Sequence, residues 1–407
     1  MKICKRICID NIINNILFFY ILSLYLFTYR EKFNIISNAI AAILVITIWM
    51  KCLYIKRKLI FNNFLFIYIL FIIICAMSFF VAVDKSTVLS KVRTLILLFI
   101  IMLSMINYID NFVKLRKFLI SFVYSGFIAS LYILLTSDFS NITRFGSELG
   151  NVNAVGMMIG ISATFCFYLF LEEKRFKYFL LLITMLPIIL LTGSRKSVLF
   201  FLMNLIIILY LRNRDSLSKK LKFFFIGGIL FFLVLFLVFK IPLFYKIIGY
   251  RIENVFSFLS GKKVNEGSIY ERFYMIEVGL KMIKDRPILG YGIDNYRFYY
   301  SRVPSGRETY SHNNFIELIV GTGIFGFLFY YLTHFIILRS LFKASICTKE
   351  KMICYTFISI IISYIILSMV LIYYYDKHFS LLLAVGSIVN RVIYNDLKTE
   401  QREEILC

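Results

Sequence analysis

The residues of this 407-residue chain that are most capable of chemistry are one histidine and several arginines. His312 lies in the segment Ser311-His312-Asn313-Asn314, directly ahead of a long apolar run. We predict that Ser311 caps a helix and that His312 occupies its first turn, where the positive end of the helix dipole disfavours imidazolium. A neutral imidazole can accept a proton, so His312 is a candidate general base. The plainer interpretation is a histidine that anchors the chain at an interface.

A second group of candidates consists of basic residues beside the apolar runs. Arg195 stands in the segment TGSRKS, between two apolar runs. If both runs formed one membrane pass, Arg195 and Lys196 would lie at mid-membrane, at a cost of about 2.5 to 3.5 kcal/mol each. A hairpin with its turn at the membrane surface avoids that cost, and a guanidinium there can hold phosphate oxygens. The alternative is a cation whose stem packs along the bilayer. We place Arg144 and Arg272 on the same face.

The composition defines the setting of these residues. The chain is 60% hydrophobic and 17% charged, with a mean hydropathy of +0.82. Soluble domains are about 45 to 50% apolar and about 25% charged, so a soluble globule, a disordered chain and a secreted disulfide scaffold are excluded. The net charge of +23 would suggest nucleic acid as a partner of a soluble chain. Here we predict membrane lipids and no nucleic acid, because basic loops orient membrane proteins.

We predict an all-α, polytopic membrane protein with about 12 transmembrane helices, since a span needs roughly 20 apolar residues. The predicted spans are Ile12–Tyr29, Ile35–Met50, Phe64–Val83, Thr94–Tyr108, Phe118–Thr136, Val152–Leu171, Tyr178–Leu191, Ser197–Leu211, Phe223–Phe239, Asn313–Leu338, Met352–Tyr373 and Phe379–Val392. With a cytoplasmic N-terminus, the cytoplasmic breaks, counted together with Arg391 at the end of the last span, carry 25 Lys and Arg, and the short outer breaks carry 9. This bias obeys the positive-inside rule and predicts that both termini are cytoplasmic.

One long stretch, residues 240–312, falls on the predicted outer face and holds 12 further basic residues. We expect a large extracytoplasmic loop that contains an amphipathic helix. Ser268 and Glu271 form a capping box at its start, and Pro287 ends it. Its predicted apolar stripe consists of Ile269, Phe273, Ile276, Leu280 and Ile283. The helix is expected either to lie on the membrane surface or to pack as a lid, and Gly290 and Gly292 indicate a tight turn after it.

The other two histidines do not indicate a metal site. His334 is 22 residues beyond His312, which is about 33 Å along a straight helix. His378 can approach His312, but with Asp376 alone it makes a poor ligand set. The sequence also lacks nucleotide-binding glycine loops. We therefore predict neither a metal nor a cofactor.

The spacing around His312 resembles a known family. His312-Asn313, nine residues and then Gly323-x-x-Gly326 match the H-[NSQ]-x9-G-x-x-G pattern of the O-antigen ligases. A Ser-Arg turn at Arg195 and an R-x-x-G…N-x-N-like stretch from Arg144 to Asn153 are similar as well. The chain thus resembles the O-antigen ligase and polymerase superfamily, roughly over residues 154–342. We divide it into N-terminal helices (1–151), a core that includes the loop 240–312 (152–342), and C-terminal helices with a cytoplasmic tail (343–407).

The resemblance implies a metal-independent glycosyltransferase in the bacterial cytoplasmic membrane. Its donor would be an undecaprenyl pyrophosphate-linked glycan, and its acceptor a hydroxyl of a glycan or glycolipid on the outer face. By the same resemblance His312 would activate the acceptor, and Arg195 and Arg272 would neutralise the pyrophosphate. The further candidates for substrate binding are Arg144, Asn313 and Asn314. We assign the three glycines of the motif region, Gly321, Gly323 and Gly326, to close helix packing.

Three functions are compatible with these features. A polysaccharide polymerase, for O-antigen or capsule, is our preferred interpretation, and a ligase that transfers O-antigen to lipid A core is the alternative within the enzyme class. A transporter or flippase of lipid-linked oligosaccharide is the alternative from a different class. Transporters tend to carry ionisable residues at mid-membrane. Here Glu317 is the main acid within a predicted span, and the charges gather at the outer face, which favours surface chemistry.

Overall fold

The protein is a bundle of helices. The computed structural model describes residues 2–56, 58–138, 144–213, 217–260, 267–348 and 350–406, and every regular element among them is helical. The prediction of an all-α fold is confirmed for these residues. The nine helices of the first part are α1 (Lys2–Phe27), α2 (Asn34–Tyr54), α3 (Asn63–Met77), α4 (Lys85–Tyr108), α5 (Phe112–Thr136), α6 (Val152–Glu173), α7 (Phe176–Leu191), α8 (Arg195–Arg212) and α9 (Leu217–Lys240).

The second part alternates short and long helices. They are α10 (Pro242–Phe244), which continues into a π-helical turn (Tyr245–Gly249), α11 (Tyr250–Leu259), α12 (Gly267–Asp285), α13 (Tyr296–Tyr300), α14 (Asn314–Cys347), α15 (Lys351–Leu367), α16 (Lys377–Gly386) and α17 (Val389–Leu406). The predicted outer loop is therefore largely helical. Its turn at Gly290 and Gly292 is confirmed, since both residues have positive φ.

Seven helices in the described part of the chain are long and apolar enough to cross a membrane: α1 to α6 and α14. The helices α7 and α15 are apolar but shorter. The last predicted span is interrupted, because α16 ends at Gly386 and α17 begins at Val389. Each predicted span overlaps a helix, yet the predicted count of twelve crossings is not reproduced by length and composition.

The helices α1 to α8 alternate in direction, so the turns that follow α1, α3, α5 and α7 come together at one end of the bundle. We call this the site end. Side chains join helices at this end: Arg30, after α1, donates to the Tyr132 hydroxyl near the end of α5 at 2.8 Å, and Lys377 of α16 donates to Asn38 near the start of α2 at 2.7 Å. Asp84 caps α4 there by accepting the N–H groups of Ser86 and Thr87. The short, capped turns hold the residues at the site end in place.

The helix α12 packs at the site end partly through its predicted stripe. Met275, Val278 and Met282 are buried against α13 and the start of α14, and Ile276 and Ile283 of the stripe pack against this cluster. Phe273 and Leu280 of the stripe are 56% and 51% exposed, so the predicted stripe is only part of the packing face. Both faces of this helix carry apolar residues, so periodicity alone could not select between them. The capping box predicted at Ser268 lies outside the described side chains.

The helix α14 folds back on itself at Gly323. Gly323 has φ 66° and ψ −171°, a combination that only glycine adopts readily. Asn314 donates a hydrogen bond to the Tyr331 hydroxyl at 2.9 Å, although a straight helix would separate their backbones by about 25 Å. The rings of Phe315 and Phe327 also lie 6.0 Å apart. Residues 314–322 thus form a half-helix beside 324–347, and the predicted straight tenth span was wrong.

Because α14 folds back at Gly323, His334 does not lie about 33 Å from His312 along a straight helix, and the predicted separation of the two histidines was wrong. His334 lies one turn beyond Tyr331, which contacts Asn314. Its ring packs among Tyr330, Tyr373 and Phe379, and it is 1% exposed. His334 is a buried residue of the bundle.

Candidate functional site

A polar cavity of about 110 Å³ opens at the site end. It is built from the turns after α1 and α5, from α6, α8 and α12, and from the segments before α14 and around the start of α16. Its polar lining includes Tyr29, Asn153, Lys196, Arg272, Tyr310, His312, Asp376 and His378. Residues that are far apart along the chain therefore converge on one space.

His312 is held rigidly in the wall of this cavity. Its φ is 56°, a left-handed conformation that costs free energy in a residue other than glycine. The flanking residues are fixed by hydrogen bonds: the Ser311 N–H donates to the buried Glu317 carboxylate at 2.9 Å, and the Ser311 hydroxyl donates to the Asn313 carbonyl at 2.9 Å. The Tyr310 ring lies 4.3 Å from the imidazole. The surroundings thus impose the conformation of His312.

The helix boundary differs from the predicted one. Asn313, rather than Ser311, is the N-cap, and its side-chain oxygen accepts the N–H groups of Phe315 and Ile316. His312 therefore precedes the helix instead of lying in its first turn. The Asn314 N–H donates to the Ser368 carbonyl at 2.7 Å. Because these N–H groups at the start of the helix already donate to protein acceptors, they are not available to a phosphate. Any phosphate bound here must be held by side chains.

His312 is nevertheless neutral over a wide pH range. Burial, and then the positive charges of Arg272, Lys196 and Arg307, lower its pKa to about 4. The helix dipole alone would predict the same direction for this pKa shift. In the structure, desolvation and neighbouring cations are the main causes. The outcome is the same: an imidazole whose ring nitrogen can accept a proton at neutral pH.

Two cations line the cavity with His312. Arg272 reaches it from α12, and Lys196 reaches it from the first turn of α8. Burial, followed by the charges of Arg272, Arg195 and Arg144, lowers the pKa of Lys196 to about 7. This cluster of positive charge can bind an anion and would be costly without one.

The other two predicted arginines lie behind the cavity wall. Arg195 donates to the Arg251 carbonyl at 2.5 Å, and Arg251 donates to the Gly193 carbonyl at 3.0 Å. Arg144 donates to the Thr192 carbonyl at 2.8 Å and to the Asn153 side chain at 2.6 Å. These bonds hold the turn that presents Lys196. Both guanidinium groups contribute to the positive potential that acts on Lys196.

The predicted residues Asn313 and Asn314 are also occupied by structural bonds. Asn313 caps α14, and Asn314, which is fully buried, bonds to Tyr331 and accepts the Tyr373 N–H at 3.1 Å. Neither lines the cavity. Their side chains fix the half-helix and thereby the position of His312.

Lys196 and Asp376 line the cavity although neither was predicted as a site residue. Lys196 follows Arg195 directly, and the segment TGSRKS contained the only available signal. Asp376 and His378 had been weighed only as a metal site. In the described part of the chain, no group of three or more His, Cys, Asp or Glu is arranged to hold a metal ion.

The fold and the site together define a membrane protein with a cationic, histidine-containing cavity at one end of its bundle. Residues 179–331 match the family model of the O-antigen ligases. This match confirms the resemblance to the O-antigen ligase and polymerase superfamily, and it includes Lys196, Arg272 and His312. No curated protein matches the chain significantly.

Proposed function

We propose that the protein transfers a glycan from undecaprenyl pyrophosphate to an acceptor hydroxyl, without a metal ion, on the outer face of the bacterial cytoplasmic membrane. The observation that carries this proposal is the convergence of a neutral imidazole, His312, with Lys196 and Arg272 in one cavity. Our preferred activity within this class is that of a polysaccharide polymerase. The ligase differs from it only in the acceptor.

The chemistry assigned to these residues is a single displacement. The acceptor oxygen forms a bond to the anomeric carbon while the bond from that carbon to the diphosphate oxygen breaks. The acceptor proton passes to the His312 imidazole, and the electron pair leaves with undecaprenyl diphosphate. Lys196 and Arg272 stabilise the charge that grows on the leaving oxygen. Attack opposite the leaving group inverts the anomeric centre, which analysis of the product anomer can test.

Arg195 keeps a role in the proposal at longer range. Its charge adds to the potential around Lys196, and its bond to the Arg251 carbonyl holds the turn. We expect Arg195→Ala to weaken both binding and turnover. Arg144 acts in the same way through Asn153.

The decisive experiment uses purified protein and the lipid-linked glycan that accumulates in a deletion strain of its own host. Release of undecaprenyl diphosphate by detergent-solubilised protein, unchanged by a chelator, supports the enzyme. Absence of turnover together with transport in sealed vesicles would favour the flippase. In cells, a missing polymerase leaves single repeats on the acceptor, whereas a missing ligase leaves lipid-linked polymer.

A further inference from the structure

The residues that line the cavity fall into two chemically different sets, which we call its two ends. Lys196, Arg272 and His312 form the cationic end. Asp376 and the ring of Tyr375 belong to the other end, which we call the acid-aromatic end. The rings of Tyr29 and Tyr364 and the imidazole of His378 complete it.

Different cations act on His312 and on Asp376, although Tyr310, which lies beside His312, is acted on by both Arg272 and Asp376. The charges that act on His312 are those of Arg272, Lys196 and Arg307. The cation that acts on Asp376 is Lys91, whose ammonium lies 3.7 Å from the centre of the Tyr375 ring. Burial raises the pKa of Asp376 to about 7, and Lys91 opposes this rise. Among the cations, Lys91 beside Tyr375 acts on Asp376, and Lys196 and Arg272 do not.

The side chain of Asp376 does not cap the helix that it precedes. Asp376 is the N-cap residue of α16, but its carboxylate makes no capping hydrogen bond. Asp84, the N-cap of α4 at the same end of the bundle, does cap its helix. His378 approaches Asp376 with its Nε2 3.7 Å from Oδ2, which is beyond hydrogen-bond distance. That His378 nitrogen lies 3.2 Å from the Tyr364 hydroxyl. The Asp376 carboxylate thus keeps acceptor capacity toward the cavity.

A carboxylate beside tyrosine rings selects a particular kind of ligand. It repels a diphosphate, because like charges in a poorly solvated space disfavour one another. It accepts short, strong hydrogen bonds from hydroxyl groups. The negative faces of aromatic rings attract the C–H groups of a sugar ring. A neutral, hydroxyl-rich sugar satisfies all of these groups.

We propose that the acid-aromatic end is the acceptor-sugar subsite, where Asp376 accepts a hydrogen bond from a hydroxyl of the incoming glycan and directs the reacting hydroxyl to His312. The donor diphosphate then occupies the cationic end, and the new bond forms between the two. This inference rests on the proposed function. It adds the position at which the acceptor glycan binds.

The test separates the two ends of the cavity with two probes. Undecaprenyl diphosphate reports on the cationic end, and turnover of the lipid-linked glycan extracted from the deletion strain reports on both. For Asp376→Asn, assayed at pH 8, where Asp376 with its pKa of about 7 is mostly ionised, we expect catalytic efficiency to fall at least about tenfold, since a hydrogen bond to a charged group is lost. The dissociation constant for undecaprenyl diphosphate should stay within about twofold, while Arg272→Gln should weaken it about tenfold or more.

Asp84→Asn is the matched control, since asparagine also caps helices, and it should leave both measurements within about twofold of the wild type. Wild-type turnover by Asp376→Asn would overturn the inference. So would a loss of undecaprenyl diphosphate affinity in Asp376→Asn as large as that in Arg272→Gln, because Asp376 would then support the donor end. If the wild-type protein neither binds undecaprenyl diphosphate nor releases it from the glycan, the proposed function fails and the inference fails with it.

Discussion

His312 combines a strained backbone with a shifted pKa. Its left-handed φ of 56° is held by the bonds of Ser311, and its pKa is lowered to about 4 by burial and by Arg272. Strain of this kind persists where the surrounding structure over-determines it, and it clusters at functional sites.

For His312→Gln we expect the turnover number to fall about a hundredfold or more, the range of general-base catalysis. Affinity for undecaprenyl diphosphate, measured by calorimetry, should stay within about twofold.

Lys196 gives the site a pH dependence. A lowered pKa of about 7 means that the ammonium loses its proton as the pH rises through neutrality. Affinity for undecaprenyl diphosphate should therefore fall between about pH 7 and 9. Lys196→Arg should remove this decline, because a guanidinium stays charged throughout. A wild-type affinity that is constant from pH 6 to 9 would contradict the assignment of Lys196. His312, with its pKa near 4, should stay neutral across that range.

At the scale of residues, the sequence identified the kinds of groups in the site better than their positions. His312 and Arg272 were predicted and do line the cavity. Arg195 was preferred over Lys196, yet Lys196 enters the wall. Adjacent helical residues point about 100° apart, so the segment TGSRKS cannot indicate which cation faces the site. Asp376 was missed because its unused capping position is visible only in three dimensions.

At the scale of elements, the half-helix explains the spacing of the His-Asn-x9-Gly-x-x-Gly motif. Asn313 starts the half-helix, nine residues follow, and Gly323 reverses the chain. At Gly326, a Cβ would lie 2.0 Å from the Thr322 hydroxyl oxygen. The close packing assigned to these glycines is thus part of the explanation. Hydropathy could not predict the reversal, because residues 314–322 and 324–347 are both apolar. A hydropathy profile does not show whether two consecutive apolar helices are collinear or antiparallel.

Gly323→Ala tests this reversal. A Cβ would lie 1.9 Å from the Ile288 carbonyl oxygen, and alanine does not adopt the observed φ and ψ. We expect a loss of stability of about 3 kcal/mol or more, with most activity lost. Gly228→Ala in α9 is the control, since its added Cβ meets nothing within 4 Å. Melting temperatures in detergent measure both variants, and equal values for the two would mean that α14 does not fold back at Gly323.

Glu317 connects the half-helix to the base. Its carboxylate accepts the Ser311 N–H at 2.9 Å and is almost fully buried. Glu317→Ala should lower the turnover number about tenfold through misplacement of His312, and Glu317→Gln should restore most of it, since the amide oxygen can accept the same bond. Affinity for undecaprenyl diphosphate should be unchanged in both. Equal loss in the two variants would show that the charge of Glu317, rather than its hydrogen bond, is needed.

At the scale of the whole molecule, composition and charge predicted a helical membrane protein but not the number of crossings. The predicted segments all overlap helices, because apolar runs favour helices within a bilayer. Only seven described helices have the length and composition of a span. Lys51 and Lys114 show why the number of membrane crossings is hard to count from charge and hydropathy. At the end of the bundle away from the site, Lys51 is buried in an ion pair with Asp10, and Lys114 is buried in ion pairs with Asp10 and Asp110. Bundle packing can hide charge from lipid, which a hydropathy window cannot register.

The orientation of the bundle is a prediction from the distribution of Lys and Arg along the sequence, and it can be measured in intact cells. The positive-inside bias predicts that the site end faces outward, where the proposed glycan substrates would be exposed. Residues 324–347 run from the turn at Gly323 to the exposed Cys347. In a variant with Ser305→Cys, an exposed position near the site, a membrane-impermeant maleimide should label residue 305 from outside. Cys347 should react only after permeabilisation, so each cysteine serves as the control for the other. Labelling of Cys347 alone in intact cells would invert the bundle, and a site facing the cytoplasm would exclude the proposed reaction on the outer surface.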